Sequence, residues 1–166
     1  LAEFLYLEDV LNSLYKLLHN YSTTTALPPA ASIFAIADFE KALALKPSAR
    51  SVQRQLVRLE MLLGNYDKGI DYCHQMLEKD STDAIAYRLL GNCYYSKRQF
   101  DNAYMGYVKA YSLTPEDFST VDAFSTLLIE EKDYQGALEM TERYREKDTR
   151  TAVGPELHWC QQVVQG

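Results

Sequence analysis

The sequence predicts an all-α protein built from about three stacked pairs of antiparallel helices, and three observations lead to this prediction. Aromatic rings and small residues each recur at a strict 34-residue interval: Tyr66, Phe100 and Tyr134, then Gly69, Ala103 and Ala137. Between them, apolar residues stand three, four and seven positions apart, which is the spacing of one helix face. Pro115 closes the best-formed period, because proline disfavours helical geometry in the residue before it.

The composition is typical of a soluble globular protein. The 166 residues are 47% hydrophobic and 24% charged, which allows a sizeable core. The net charge of -6 argues against a nucleic-acid partner, and no apolar run reaches membrane-spanning length. We therefore expect neither a nucleic-acid partner nor a membrane span. Because the chain begins with Leu1, we expect a fragment or a processed product, and its compartment is not readable.

Residues that could carry catalytic or metal chemistry are scattered along the chain. Its histidines stand alone, without a second histidine at a ligand spacing: His19, His74 and His158. The three cysteines show no zinc-type pairing, and Cys73 and Cys93 are predicted to be small buried hydrophobes. There is no glycine-rich phosphate loop and no nucleophile elbow. The sequence thus predicts no catalytic residue, no metal site and no cofactor, and a protein that is not an enzyme.

The best-formed period runs from residue 84 to residue 117. Its apolar and small residues fall on one side of each of two helices: Tyr87, Leu90, Gly91 and Tyr94, then Phe100, Ala103, Tyr107 and Ala110. The small residues among them should let the two helix backbones approach closely as an antiparallel pair. This pattern resembles the tetratricopeptide repeat, a helix-turn-helix unit with the same period.

Two further repeats are found by counting one period in each direction from the best one. Residues 50–83 form a degenerate repeat, with Gln53 and Glu60 at the positions of large aromatic side chains. Residues 118–151 form the third repeat. The register of the weaker repeats therefore depends on the repeat between them.

The flanking segments differ from the three repeats. Residues 33–49 match the second helix of an irregular leading repeat, and residues 152–166 are predicted to form a C-terminal capping helix, so the array spans residues 33–166. Residues 1–20 are a predicted apolar helix whose wide apolar face indicates contacts on more than one side. A linker rich in threonine and proline, residues 21–32, ties it to the array. This helix is a cap, the first helix of the leading repeat, or a surface for self-association.

The resemblance implies a right-handed α-solenoid in which the first helices of the pairs line a concave, peptide-binding groove. Six residues at the matching positions are the candidate peptide-binding residues: Arg54, Arg58, Arg88, Asn92, Tyr95 and Asp122. The arginines predict a groove that is basic towards its N-terminal half, and Asp122 predicts an acidic C-terminal end. Because a guanidinium group holds a carboxylate by two hydrogen bonds, the predicted ligand is an acidic or C-terminal peptide. An ion pair between Arg88 and Asp122 is the alternative, and it would leave the groove electrostatically quiet.

The carboxylate clamp of cochaperone repeats is not completed by these residues. Arg88 and Asn92 resemble its first pair, but Ala123 stands where its next asparagine would lie. We therefore predict no chaperone partner.

Three classes of function remain. The leading prediction is a non-catalytic scaffold or adaptor that binds a peptide or protein segment in the groove. One alternative is an oligomerisation or structural module that uses the N-terminal helix. The other is an accessory repeat domain of a larger enzyme or secretion assembly. Many functions share this architecture, so the fold alone does not choose among the three classes.

Overall fold

The computed structural model describes residues 29–46 and 49–147 of the chain. These residues form seven α-helices and no strand: α1 (Pro29–Leu45), α2 (Arg50–Leu62), α3 (Tyr66–Lys79), α4 (Ala84–Ser96), α5 (Phe100–Leu113), α6 (Phe118–Glu130) and α7 (Tyr134–Lys147). The all-α prediction is thereby confirmed. The predicted N-terminal helix and C-terminal capping helix lie outside the described residues.

The helices follow the period of the sequence. The first helices of successive pairs, α2, α4 and α6, begin at Arg50, Ala84 and Phe118. The helix α1 begins at Pro29, earlier than the Ile33 expected, so the end of the predicted linker is helical. Proline fits the first turn of a helix, because an N–H group there has no partner within the helix.

The turn inside each helix pair has the same backbone geometry three times. Its central residue is left-handed, with φ of 78° at Gly64, 60° at Arg98 and 64° at Lys132. The next residue donates its N–H group to a carbonyl at the end of the preceding helix: Asn65 to Glu60 at 2.8 Å, Gln99 to Tyr94 at 2.9 Å and Asp133 to Leu128 at 2.8 Å. This bond is the mark of the Schellman motif, which ends a helix and reverses the chain. Of the three turns, the first alone has the glycine that left-handed geometry favours.

The first helices of the second and third pairs begin with an aspartate cap. Asp83 Oδ1 accepts a hydrogen bond from the Ala86 N–H group at 3.1 Å. Asp117 Oδ2 accepts from the Thr120 N–H group at 3.1 Å and from its hydroxyl at 2.6 Å. Ala49 stands before α2 and provides no side-chain cap. Of these three helices, α2 therefore has the weakest start.

The chain divides into two compact units between Tyr72 and Cys73, within α3. In the first unit, α1 packs on α2. Seven buried apolar residues of that unit form one cluster: Ala35, Ile36, Phe39, Ala42, Val52, Leu56 and Leu59.

Two polar side chains of α2 are buried in the first unit as well, at the places where the best repeat has aromatic rings. Gln53 is 1% exposed and Glu60 is 0% exposed. Glu60 Oε2 accepts a hydrogen bond from Asn65 Nδ2 at 2.8 Å, and Glu60 Oε1 lies 3.5 Å from Lys68 Nζ. Neither polar atom of the Gln53 side chain has a hydrogen-bond partner among the described residues.

In the second unit, the backbones of α4 and α5 lie close together at two glycines. A Cβ atom added to Gly106 would lie 3.0 Å from the Gly91 Cα atom, which is tighter than ordinary packing. A Cβ atom on Gly91 would lie 2.6 Å from the Tyr107 ring. Gly91 thus has the predicted role in close packing, and its backbone neighbour is Gly106. The helix α6 packs between α5 and α7 around a buried cluster: Ala103, Tyr107, Val121, Phe124, Leu127, Leu128, Ala137 and Met140.

Candidate functional site

Three of the predicted binding residues lie along α4 in the second unit. Arg88, Asn92 and Tyr95 are four and three positions apart, so they share one side of that helix. All three are half-buried, and α6 is in contact with α4. We call the surface formed by Arg88, Asn92, Tyr95 and Asp122 the polar α4–α6 face. Each of the three α4 side chains contacts another helix or its cap.

Arg88 forms an ion pair with the aspartate that caps α6. Its Nε atom lies 3.3 Å from Asp117 Oδ2, and its side chain is only 13% exposed. The carboxylate of Asp117 therefore offsets part of the positive charge at this end of the face. The sequence suggested Asp122 as the partner of Arg88 and did not point to the capping residue.

Asn92 is held by a tyrosine from the second helix of its own pair. The Tyr107 hydroxyl donates to Asn92 Oδ1 at 2.8 Å. Burial of Tyr107 disfavours the phenolate and raises the pKa of its hydroxyl. Because Oδ1 is engaged, the other end of the Asn92 side chain, the Nδ2 amide, is the part left for a hydrogen bond to a ligand.

Tyr95 is joined to the end of α6. Its hydroxyl donates to Glu130 Oε1 at 2.6 Å, and Arg98 Nη1 lies 3.1 Å from Glu130 Oε2. Burial and then the hydrogen bond to Glu130 raise the pKa of Tyr95 to about 12. Arg98 also stands over the ring of Phe100, with 5.8 Å from its Cζ atom to the ring centroid. Tyr95 therefore links neighbouring repeats while its ring remains partly exposed.

Asp122 lies on α6 and is half-buried. Its backbone carbonyl accepts hydrogen bonds from two hydroxyls of the next turn, Thr126 Oγ1 at 2.9 Å and Ser125 Oγ at 3.3 Å. Arg54 and Arg58 belong to the first unit, where Arg54 is half-buried and Arg58 is exposed. The role of all six predicted residues in binding stays a prediction.

Sequence reasoning missed the three partners of this face: Asp117, Tyr107 and Glu130. A signal existed for Asp117, because Asp83 stands one period before it and both precede a first helix. Tyr107 was assigned only to packing. Its hydroxyl is the polar end of a core residue, and a buried hydroxyl usually finds a partner.

The described residues hold no group of three or more metal-ligating side chains. In the same part of the chain, no helix combines the length and the apolar character needed to cross a membrane.

Solved structures share this arrangement of helix pairs. A structure of MamA from Desulfovibrio magneticus RS-1 matches with a TM-score of 0.64 and 20% identity, over 74% of this chain and 70% of that chain. A structure of Naa15/Naa10 bound to HypK-THB matches with a TM-score of 0.64 and 17% identity, over 86% of this chain and 21% of that chain. At such identities the likeness concerns the fold. The helix pairs thus define an α-helical repeat protein of the solenoid class.

A curated relative is named for one type of helical repeat. Tetratricopeptide repeat protein 21A of Mus musculus is 23% identical over 129 residues, which cover 78% of this chain and 10% of that protein. The chain therefore spans about a tenth of the length of this relative. No family model matches the chain. The resemblance to the tetratricopeptide repeat is confirmed by this relative, and the solved structures agree with it in fold.

Proposed function

We propose that this chain is a non-catalytic scaffold that binds an extended segment of another protein along the polar α4–α6 face. The observation that carries the proposal is the orientation of Asn92. Tyr107 holds the Oδ1 atom at 2.8 Å, so the Nδ2 amide is left to donate to a carbonyl of a bound peptide. The partly exposed ring of Tyr95, held by Glu130, offers a flat apolar surface beside it.

The fold supports this proposal in a general way. Repeats of this type present continuous surfaces to partners, and one protein of similar fold, Naa15/Naa10, is solved bound to HypK-THB. The partner of the present chain is proposed as a protein or peptide on these grounds alone.

The finer part of the proposal concerns the ligand, which we infer to be acidic or to end in a free carboxylate. Arginine suits such a ligand, because its planar fork can donate two hydrogen bonds to one carboxylate. The charge of Arg88 is partly offset by Asp117 at 3.3 Å, so Arg88 contributes less than its formal charge. In the first unit, Arg58 is exposed and Arg54 is half-buried.

Site-specific photo-cross-linking tests where the partner binds. A photoreactive phenylalanine analogue is placed at Tyr95 in the intact chain, and in a matched variant at Tyr104. Both positions hold partly exposed tyrosines, but Tyr104 lies on α5, where its ring packs edge-on against Phe124. We expect a partner adduct from position 95 and none from position 104. Equal yields of adduct from the two positions, or an adduct only from position 104, would exclude the polar α4–α6 face as the binding surface.

The ligand class is tested by separate arginine variants. The double variant Arg54→Ala with Arg58→Ala removes the candidate cations of the first unit, and Arg88→Ala removes that of the second. The probe is the partner recovered by the cross-link. Its binding should weaken at least about tenfold in the double variant or in Arg88→Ala. A third variant combines all three substitutions. If it binds the partner as well as the wild-type chain does, and position 95 still gives an adduct, the ligand is not acidic but the polar α4–α6 face remains the binding surface.

A further inference from the structure

Two cysteines face each other in the core of the second unit, where α3 is followed by α4. Cys73 lies on α3 and Cys93 on α4, and both are fully buried, at 0% exposure. Both are free thiols, and a hydrogen bond joins their side chains. Two sulfur atoms from different helices therefore lie in contact, although the turn between α3 and α4 separates them in the chain.

The repeat register explains why these two residues meet. Shifting Cys73 and Cys93 by one period in either direction gives the pairs Phe39 with Leu59 and Tyr107 with Leu127. The members of each pair share one buried cluster, in the first and in the second unit respectively. The same pair of positions thus packs together repeatedly, and only in this period are both side chains small thiols.

We propose that Cys73 and Cys93 form a dithiol that a hydroperoxide oxidises to an intrachain disulfide, which links α3 to α4. The register brings the sulfurs together, the small side chains leave room for a bond, and the two thiols are each other's hydrogen-bond partners.

The oxidation proceeds in two balanced steps. The thiolate of one cysteine attacks an oxygen of the hydroperoxide, the O–O bond breaks, an alcohol or water leaves, and a sulfenic acid forms. The second thiolate attacks that sulfur, the S–O bond breaks and water leaves. Two electrons pass from the sulfurs to the peroxide, and the two thiol protons end in the alcohol and the water.

The hydrogen bond shifts the pKa values of the two thiols in opposite directions. The Cys73 thiol donates to Cys93, which lowers the pKa of Cys93 against the opposing effect of burial. The same hydrogen bond, followed by burial, raises the pKa of Cys73. The contact between the two thiols therefore favours closure of the disulfide once either sulfur has been oxidised.

Burial determines when the oxidant reaches the pair. Because both side chains are 0% exposed, a peroxide reaches them only when α3 and α4 open locally. The helices are joined by a short turn in which Thr82 donates its N–H group and its hydroxyl to Asp80 Oδ1, at 2.9 and 2.6 Å. Oxidation is thus slow in the native chain and faster under conditions that favour opening.

Peptide mapping of the intact chain tests the inference. The reduced protein is treated with hydrogen peroxide, quenched, alkylated and digested with trypsin, which releases Cys73 in peptide 69–79 and Cys93 in peptide 89–97. We expect a disulfide-linked pair of these peptides, with its rate of formation raised about tenfold or more by urea below the unfolding midpoint. The Cys160→Ser variant should form it at the same rate.

Two results would overturn the inference. One is that both peptides remain alkylated while Cys160 is oxidised, and the other is that each cysteine reaches sulfinic acid without a cross-link. Since the measurement is made on the wild-type chain, it does not depend on whether a cysteine variant folds. The measurement also needs no binding partner, so its result is independent of the cross-linking experiment.

Discussion

The Oδ2 atom of Asp117 lies 3.3 Å from Arg88 Nε and also accepts a hydrogen bond from the Thr120 N–H group. One carboxylate therefore caps α6 and pairs with a cation on α4. This contact ties the first helix of one pair to the start of the next first helix. It also explains why Arg88 is only 13% exposed although it carries a charge.

Replacing this aspartate should separate the two contributions. Asp117→Ala is expected to lower the free energy of unfolding by about 1–2 kcal/mol, because the cap and the ion pair are lost together. Asp117→Asn keeps a capping oxygen and removes only the charge, so its loss should be smaller than that of Asp117→Ala. Urea denaturation measures both, with Glu116→Ala at an exposed neighbouring position as the control. Equal losses in the two variants would contradict the importance of the cap.

The left-handed turn residues predict a stabilising substitution. Lys132 has φ of 64°, where a side chain is strained and glycine is not. Lys132→Gly is expected to raise the free energy of unfolding by about 0.5–1 kcal/mol, and Gly64→Ala to lower it by a similar amount. Arg98→Gly is the informative comparison, because that variant also loses the contact with Glu130. A loss of stability in Lys132→Gly would show that the strain at this φ is smaller than the conformational entropy that glycine adds to the unfolded chain.

The buried amide of Gln53 predicts another gain. The side chain is 1% exposed, and neither of its polar atoms finds a partner among the described residues. Gln53→Met keeps the length of the side chain and removes the buried polar group, so we expect a gain of about 1–3 kcal/mol in denaturant unfolding. Gln55→Met, on the half-buried side of the same helix, should change stability by less than about 0.5 kcal/mol. A destabilised Gln53→Met variant would mean that the amide is satisfied in solution.

The tyrosine that contacts Glu130 predicts a pH dependence. The pKa of Tyr95 is raised from 10.0 to about 12, so the folded chain holds this proton more tightly than the unfolded chain. Its contribution to stability is complete below pH 10 and is lost as the pH rises from about 10 to about 12. In Tyr95→Phe, the free energy of unfolding should fall less steeply over that window. Tyr104→Phe, whose ring packs against Phe124, serves as the control and should keep the steeper slope.

The helices and their register follow from the amino-acid sequence. The regular recurrence of Tyr66, Phe100 and Tyr134 identified the second helices, and each of these residues begins one. This prediction depends only on nearby residues, because helical periodicity and chain-breaking residues act within a few turns of helix. The helix α1 was expected to begin at Ile33, but it begins at Pro29. A proline can end one helix or begin another, and residue type alone does not distinguish the two cases.

The polar contacts between helices depend instead on how the helices pack. Asp117 contacts Arg88, Tyr107 holds Asn92 and Glu130 receives the hydrogen bond of Tyr95. Each contact joins residues at least 15 positions apart, the number that separates Asn92 from Tyr107. Side-chain direction and the spacing of packed helices determine such contacts, and neither follows from residue type or period. The sequence therefore named the helix face that could bind a partner, and the fold determined which atoms of that face remain to bind it.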